Sequence, residues 1–293
     1  MAKVQSISIK MEFKRISFDA LVSDKLISEK ELKNDLEKLI NYDASENRRC
    51  FAGNKFLYHF QMRNMCMTKP DRKLSIYDIM NDEKEYQKLW DRMIKLNRTG
   101  NLENRLYEAS RFNNAVVFFK ATTAKYIYQR FKATSVLDPT AGWGGRMLGA
   151  YALKIKYTGF DTNINLKPAY DNMMKMFDNH SCQMLWEDCL KADFCKLDYD
   201  LVLTSPPYAN LEIYEHMTRF ESKELFYTQF LIPLLEKCMK YIKKDGYVCF
   251  NISPVMYSQL IRHKFKKCDI EIDMLQQKRL SNDKGDKIYC WKC

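Results

Sequence analysis

Short apolar runs alternate with segments of helical periodicity from residue 135 onward. Five runs of this kind lie at 135–138, 157–161, 183–188, 200–208 and 246–251. Such alternation, with about 10–15 residues of helical pattern between runs, predicts βαβ units and a parallel sheet. Two last runs, 268–275 and 287–291, predict an antiparallel pair that closes the sheet. We therefore expect an α/β, Rossmann-like fold with a mostly parallel seven-stranded sheet and helices on both faces.

Residues 1–110 have a different pattern. Apolar residues recur at helical spacing between charged residues over 24–39 and again over 82–96, which predicts amphipathic helices. We expect a mainly helical N-terminal region over 1–110 and an α/β domain over 111–293.

The net charge of +11 lies mostly in the N-terminal part. Residues 1–137 contain 26 basic and 17 acidic residues, whereas the rest of the chain is close to neutral. An excess of this kind can be a solvated helical surface, or it can bind a polyanion. Four basic side chains with no acid among them are candidate contacts to such a partner: Arg48, Arg49, Lys55 and Arg63.

Composition excludes several classes of protein. Hydrophobic residues make up 46% and charged residues 29% of the chain, as in ordinary globular proteins. Since no stretch of about 18 apolar residues occurs and no signal peptide is recognisable, we expect a cytoplasmic protein that does not bind membranes. Its ten cysteines are expected to be free thiols. The pattern Cys290-Trp-Lys-Cys293 lacks the second pair that a zinc site needs, so no metal is expected.

A Gly-rich turn follows the first predicted strand, Asp138-Pro139-Thr140-Ala-Gly142-Trp-Gly144-Gly145. Ligands of open α/β sheets bind at the carboxyl ends of the strands, and glycines let the backbone approach them closely. The turn is neither a phosphate-binding Walker loop nor a dinucleotide G-x-G-x-x-G motif.

Acidic residues end the next two predicted strands, at Asp161 and Asp188. An acid at the first of these places can bind ribose hydroxyls, and an acid at the second can bind the amino group of adenine. Each could instead cap a helix or lie on the surface. Because both acids accompany the Gly-rich turn, they favour a nucleotide-like ligand.

The fourth predicted strand runs into Ser205-Pro206-Pro207-Tyr208. Two consecutive prolines remove two backbone donors and keep the preceding residue extended, so this turn is rigid. A plain strand-ending turn would explain the prolines but not the Ser and Tyr that flank them.

Together the two motifs resemble those of the S-adenosylmethionine-dependent amino-methyltransferases that act on exocyclic amino groups of DNA bases. The motif D-P-F-x-G-x-G of that family resembles residues 138–144, and its motif [DNS]-P-P-[YFW] resembles residues 205–208. The resemblance extends from about residue 112 to the C-terminus. It implies a class I methyltransferase fold, S-adenosylmethionine as cofactor, and direct methyl transfer to a base flipped out of duplex DNA.

The resemblance also implies a role for each matched residue. The Gly-rich turn would hold the methionine part of the cofactor, Asp161 its ribose and Asp188 its adenine. Ser205 and the Pro206 carbonyl would accept hydrogen bonds from the target amino group, and Tyr208 would stack on the base. The implied cofactor-binding residues are Asp138, Pro139, Thr140, Gly142, Gly144, Asp161 and Asp188. The implied catalytic residues are Ser205, Pro206, Pro207 and Tyr208.

Within this family Ser at the first catalytic position is more frequent among cytosine-N4 enzymes, so cytosine N4 is the expected target. The alternatives are adenine-N6 methylation of DNA, methylation of an exocyclic amine in RNA, and a catalytically silent protein that binds nucleic acid. Thr140 departs from the family, which has an aromatic residue at this position. Carbon-5 methylation of cytosine is disfavoured because no Pro precedes a Cys.

The 293-residue sequence has 85 residues after Tyr208, and the last predicted strands and helices use most of them, so we expect no large recognition domain after this motif. We therefore expect the basic N-terminal residues, together with 209–219, to contact DNA. A cognate restriction endonuclease is one partner that a DNA methyltransferase of this kind can have, and the sequence leaves open whether one accompanies it.

Overall fold

The structure is a computed structural model of the 293-residue chain. It describes residues 12–46, 49–69, 73–111, 116–178, 181–207, 220–274 and 285–293.

A seven-stranded sheet forms the centre of the fold, in the order β3-β2-β1-β4-β5-β7-β6. Strands β1 to β5 are parallel to one another, and β7 lies antiparallel between β5 and β6. The predicted fold class is confirmed, including the closing antiparallel pair. The strands are β1 Ser135–Asp138, β2 Lys156–Phe160, β3 Cys182–Leu185, β4 Leu201–Thr204, β5 Tyr247–Ile252, β6 Ile270–Asp273 and β7 Lys287–Lys292.

Helices cover both faces of the sheet. The described α-helices are α1 Phe18–Ser23, α2 Glu29–Asn41, α3 Asn54–Met67, α4 Ile76–Asn81, α5 Glu83–Leu96, α6 Leu102–Ser110, α7 Ala121–Arg130, α8 Gly145–Tyr151, α9 Lys167–Lys175, α10 Lys223–Phe226, α11 Ile232–Tyr241 and α12 Pro254–Arg262. Successive residues of a strand point to opposite faces. Val136 accordingly packs in the core beneath α7 and α8, and Leu137 in the core beneath α11.

The N-terminal helices pack directly on the α/β unit. Leu36 of α2 and Leu57 of α3 share one core with Leu148 of α8, while α1, α4, α5 and α6 surround a separate core. Lys125 of α7 is 3% exposed. Its Nζ donates to three carbonyls at the end of α2, those of Leu39, Ile40 and Tyr42, which satisfies groups that a helix end leaves unpaired.

Several predicted boundaries are wrong, and two of them have a clear physical reason. Helix α2 begins at Glu29 and not at residue 24, because Ser28 and Glu31 form a reciprocal capping box that fixes the start of the helix. Strand β3 ends at Leu185, three residues before Asp188. The apolar pattern continues beyond the last residue that pairs with β2, so the sequence overstates the strand.

None of the described helices is long and apolar enough to cross a membrane. All ten cysteines are free. Among the described residues, no cluster of His, Cys, Asp and Glu is suited to hold a metal ion.

Candidate active site

The carboxyl ends of β1, β2 and β4 bring the predicted motifs to one edge of the sheet. Val136 of β1 pairs with Leu201 of β4, and Asp138 pairs with Gly159 of β2. The Gly-rich turn after β1 therefore lies between Asp161, which follows β2, and Ser205, which follows β4.

Asp138 is fully buried and accepts three side-chain hydrogen bonds. Its Oδ2 accepts from Arg146 Nε and from the Tyr157 hydroxyl, each at 2.7 Å. Its Oδ1 accepts from Thr204 Oγ1 at 2.9 Å. Because these donors come from α8, β2 and β4, the carboxylate joins three elements at the site. Both side-chain oxygens of Asp138 are therefore occupied by donors within the protein, and the carboxylate stabilises the start of the Gly-rich turn.

Arg146 is the buried cation of this network, with 4% of its side chain exposed. Burial by itself lowers the pKa of the guanidinium, but the neighbouring Asp138 carboxylate raises it, and the net direction is upward. Arg146 also donates to the Thr140 carbonyl. A second contact links the Gly-rich turn to β4, because Thr140 Oγ1 lies 2.7 Å from Thr204 Oγ1.

Gly142 and Gly144 both adopt left-handed backbone conformations, with φ of 59° and 87°. A Cβ at Gly144 would come within 2.9 Å of Met173 Cε, whereas a Cβ at Gly142 would meet only the Thr140 carbonyl oxygen, at 3.9 Å. The backbone at Gly142 thus borders open space, where a ligand can approach it. Its carbonyl accepts from the Tyr170 hydroxyl at 2.9 Å.

Asp161 connects the turn to the end of β2. Its Oδ2 accepts from the Gly142 N–H, and its Oδ1 from the Asn163 N–H, both at 2.9 Å. Burial raises the pKa of the Asp161 carboxyl to about 6, although the two backbone N–H groups favour the ionised form. Asp161 is therefore a carboxylate at the carboxyl edge of the sheet that protonates in mildly acidic solution.

Asp188 lies in a turn after β3. Its Oδ1 accepts from the Leu190 N–H at 2.9 Å, and Lys191 lies 3.9 Å from its Oδ2. Lys237 of α11 stabilises this turn. Its Nζ donates hydrogen bonds to three backbone carbonyls, those of Cys189, Leu190 and Ala192. Asp188 is partly exposed.

The predicted catalytic turn begins directly after β4. Ser205 and Pro207 are partly exposed and Pro206 is buried. Ser205 Oγ accepts from Asn251 Nδ2 of β5 at 3.1 Å. Tyr208 and the predicted contact segment 209–219 lie outside the described residues.

The basic candidates occupy different surroundings. Arg49 and Lys55 are exposed, and Arg48 lies outside the described residues. Arg63 is exposed too, but it pairs with Asp19 and lies over the Phe18 ring, so part of its charge is already compensated.

Several residues that contact the site were not predicted from the sequence, among them Arg146, Thr204 and Asn251. Arg146 and Asn251 carried a usable signal, since each is polar within an otherwise apolar run. Thr204 carried none, because a Thr is ordinary in a strand.

The residues present fit S-adenosylmethionine. The turn offers open backbone at Gly142, and the carboxylates of Asp161 and Asp188 can accept hydrogen bonds from hydroxyl and amino groups.

No protein-family model matches this sequence, and no curated protein matches it significantly. Solved structures are similar to it, among them an rRNA methylase from Streptococcus thermophilus, 10% identical over 60% of this chain and 96% of that one, with a TM-score of 0.42. A protein from Listeria monocytogenes, provisionally identified as a class I S-adenosylmethionine-dependent methyltransferase, is 14% identical over 89% and 88% of the two chains, with a TM-score of 0.43. A provisionally identified methyltransferase from Streptococcus mutans, solved in complex with SAH, is 9% identical over 60% and 99%, with a TM-score of 0.41. Similarities of this degree concern the fold alone.

Proposed function

We propose that this protein transfers the methyl group of S-adenosylmethionine to an exocyclic amino group of a base in DNA, with cytosine N4 as the preferred target. One observation carries the proposal. The Gly-rich turn and the Ser-Pro-Pro turn lie on adjacent strands, and they are joined there by the Thr140–Thr204 contact. A cofactor held on the first turn would therefore lie beside a base held on the second.

The chemistry needs few protein groups. The lone pair of an exocyclic amine is delocalised into the ring, which makes the amine a poor nucleophile. Hydrogen bonds from its two N–H groups to Ser205 Oγ and to the Pro206 carbonyl would favour the tetrahedral geometry that frees the lone pair. S-adenosylmethionine supplies the sulfonium methyl group. As the N–CH₃ bond forms, the S–CH₃ bond breaks and the nitrogen releases one proton to solvent. Alignment within the site supplies much of the rate.

A basic cluster beside the site supports a nucleic-acid substrate. We call Arg49, Phe51 and Lys120 the basic clamp. Phe51 is 55% exposed, and its ring centre lies 5.4 Å from the Arg49 guanidinium and 4.8 Å from Lys120 Nζ. Among the described residues, neither cation has a carboxylate within ion-pair distance.

The basic clamp lies close to the cofactor end of the sheet. Lys120 directly precedes α7 and follows Phe119, whose carbonyl oxygen would lie 1.8 Å from a Cβ at Gly145. The Arg146 guanidinium lies 5.2 Å from the Phe119 ring centre. Burial lowers the pKa of Lys120, and the charge of Arg49 lowers it further. Arg49 and Lys120 are therefore two neighbouring cations without a nearby carboxylate in the described part of the chain. They can bind a phosphate of the strand that carries the target base.

A labelling experiment tests the proposed function. The protein is incubated with methyl-labelled S-adenosylmethionine and separate pools of duplex DNA, single-stranded DNA and RNA, which are then digested to nucleosides. We expect N4-methylcytosine from DNA. A Tyr208→Ala variant should bind the cofactor normally and label nothing, because the base loses its stacking partner. Labelled N6-methyladenine would overturn the assignment to cytosine, labelling confined to RNA would overturn the assignment to DNA, and an unlabelled set of pools would refute the enzyme activity.

Salt dependence of binding tests the basic clamp. We expect Arg49→Gln combined with Lys120→Gln to weaken DNA binding about tenfold at moderate salt. The slope of log affinity against log salt should fall by about 0.7–0.9 for each lost phosphate contact. Fluorescence anisotropy with a labelled oligonucleotide measures both quantities.

The matched control for this variant removes two lysines that lie elsewhere, Lys33→Gln with Lys88→Gln. Each pairs with a Glu of its own helix, and the net charge changes by the same amount. Equal losses in the two double variants would mean that only net charge matters, and the basic clamp would be rejected.

A further inference from the structure

Asn251 is a polar residue within a buried apolar strand. Its side chain is 7% exposed, while Cys249, Phe250 and Ile252 beside it are fully buried. Strands β4 and β5 are parallel with Thr204 opposite Phe250. This register brings the next residues, Ser205 and Asn251, side by side at the carboxyl edge of the sheet, where Asn251 Nδ2 lies 3.1 Å from Ser205 Oγ.

The second polar atom of the same amide is left without a partner. Asn251 Oδ1 is buried and makes no hydrogen bond to any described residue. An unpaired buried polar atom costs stability, typically about 1–3 kcal/mol, and such atoms are rare in folded proteins. Exchanging the amide orientation would leave the nitrogen unpaired in place of the oxygen. Stability alone therefore does not account for an Asn at this position.

The Ser205 hydroxyl requires a neighbouring group to fix its orientation, and Asn251 can supply that group. A Ser hydroxyl rotates and can donate or accept, whereas the Asp or Asn that the resembling family also allows at this motif position carries a fixed acceptor oxygen. The nearest hydroxyl on β4, that of Thr204, already bonds to Asp138 and Thr140. Asn251 is the described residue that donates a hydrogen bond to Ser205 Oγ.

We propose that Asn251 is a positioning residue that holds the Ser205 hydroxyl as an acceptor for the target amino group. The amide N–H occupies one lone pair of Oγ and fixes the side-chain rotamer. The second lone pair of Oγ then faces the base. Because the Ser205 side chain is already fixed in one rotamer, it loses less conformational entropy when the amine binds. This inference rests on the proposed function.

An Asn251→Leu variant tests the inference by separating stability from activity. Leu has nearly the shape of Asn and leaves no unpaired amide atom, so we expect an equal or higher melting temperature. We expect unchanged affinity for S-adenosylmethionine and a kcat about tenfold lower, with the loss in kcat and not in KM for the cofactor. Asn251→Val, with a smaller strand-forming side chain, provides a second measurement if Leu does not fit.

Gln61 offers a matched control. It is fully buried in α3, and its Nε2 likewise has no partner among the described residues. Gln61→Leu makes the same kind of change far along the chain from the catalytic turn and should leave kcat unaltered. An equal fall of kcat in both variants would show a general packing effect and would overturn the inference.

A double variant tests whether Asn251 acts through Ser205. If it does, Asn251→Leu combined with Ser205→Ala should be no slower than Ser205→Ala alone. Additive losses would contradict the proposal. If the wild-type protein labels no nucleic acid, the proposed function fails and this inference falls with it. If the wild type is active and Asn251→Leu retains full kcat, the inference alone is wrong.

Discussion

An Asp138→Ala variant is expected to lose about 3–5 kcal/mol of unfolding free energy, the usual cost of removing one partner of a buried ion pair. The Arg146 guanidinium would be left 4% exposed without its carboxylate, and the Tyr157 and Thr204 hydroxyls would lose their acceptor. Because domains are stable by only about 5–15 kcal/mol, the urea midpoint should fall steeply. Asp138→Asn, which keeps the volume and one acceptor, should lose less.

The control for Asp138 is an acidic residue in an exposed pair. Asp171 pairs with Lys167 on α9, where both side chains are more than 40% exposed, so Asp171→Ala should cost less than about 1 kcal/mol. Adding Arg146→Met to Asp138→Ala should restore part of the stability, because the uncompensated charge is removed. A loss no larger than that of Asp171→Ala would show that the buried network does not stabilise the fold.

An Asp161→Asn variant is expected to bind S-adenosylmethionine about 10–100-fold more weakly. Hydrogen bonds to a charged acceptor contribute about 1.5–3 kcal/mol, and the proposed ribose hydroxyls would donate to this carboxylate. The variant keeps one oxygen to accept from the Gly142 or Asn163 N–H groups, so the turn should persist. Isothermal titration calorimetry measures the change.

The raised pKa of Asp161 gives the same site a pH dependence. Since the carboxyl protonates near pH 6, wild-type affinity for the cofactor should fall about tenfold for each pH unit below about 6. The fall should stop at the affinity of Asp161→Asn, which resembles the protonated form.

The stability of the protein without cofactor should respond in the opposite direction. The pKa of Asp161 is higher in the folded state than its ordinary value of 3.8. Its contribution to stability is therefore fully present below about pH 4 and is lost as the pH rises through about 6. The control is Asp193, a carboxylate that caps a surface turn. The Asp193→Asn variant should keep the pH dependence of cofactor binding, whereas Asp161→Asn should lose it. An unchanged pH dependence in Asp161→Asn would contradict the assignment.

The sequence predicts the sheet well because each strand carries its own signal. The run 135–138 coincides with β1, and the five parallel strands all appear where apolar runs were found. Fully buried strands must be apolar along their length, so they are visible without knowledge of their partners. The end of β3 was misplaced because pairing with β2, and not apolarity, decides where that strand stops.

The contacts within the site could not be predicted in the same way. The hydrogen bonds of the Asp138 oxygens to Arg146, Tyr157 and Thr204 were not foreseen. Which side chains meet across strands depends on strand order and register, and a one-residue shift would change every partner. The pairing of Ser205 with Asn251 arises from the same register and is invisible in the linear sequence.

The hydrogen bonds of the Lys125 ammonium limit which parts of this protein can change during evolution. It is anchored in the α/β part and satisfies the end of a helix from the N-terminal part, and burial lowers its pKa. A shorter chain that lacked α2 would take the three carbonyl acceptors from the Lys125 ammonium and would expose the apolar core that Leu36 shares with Leu148. The inner surface of the N-terminal helices is therefore tied to the α/β part by packing and hydrogen bonds, and sequence changes are tolerated best on their outer surface.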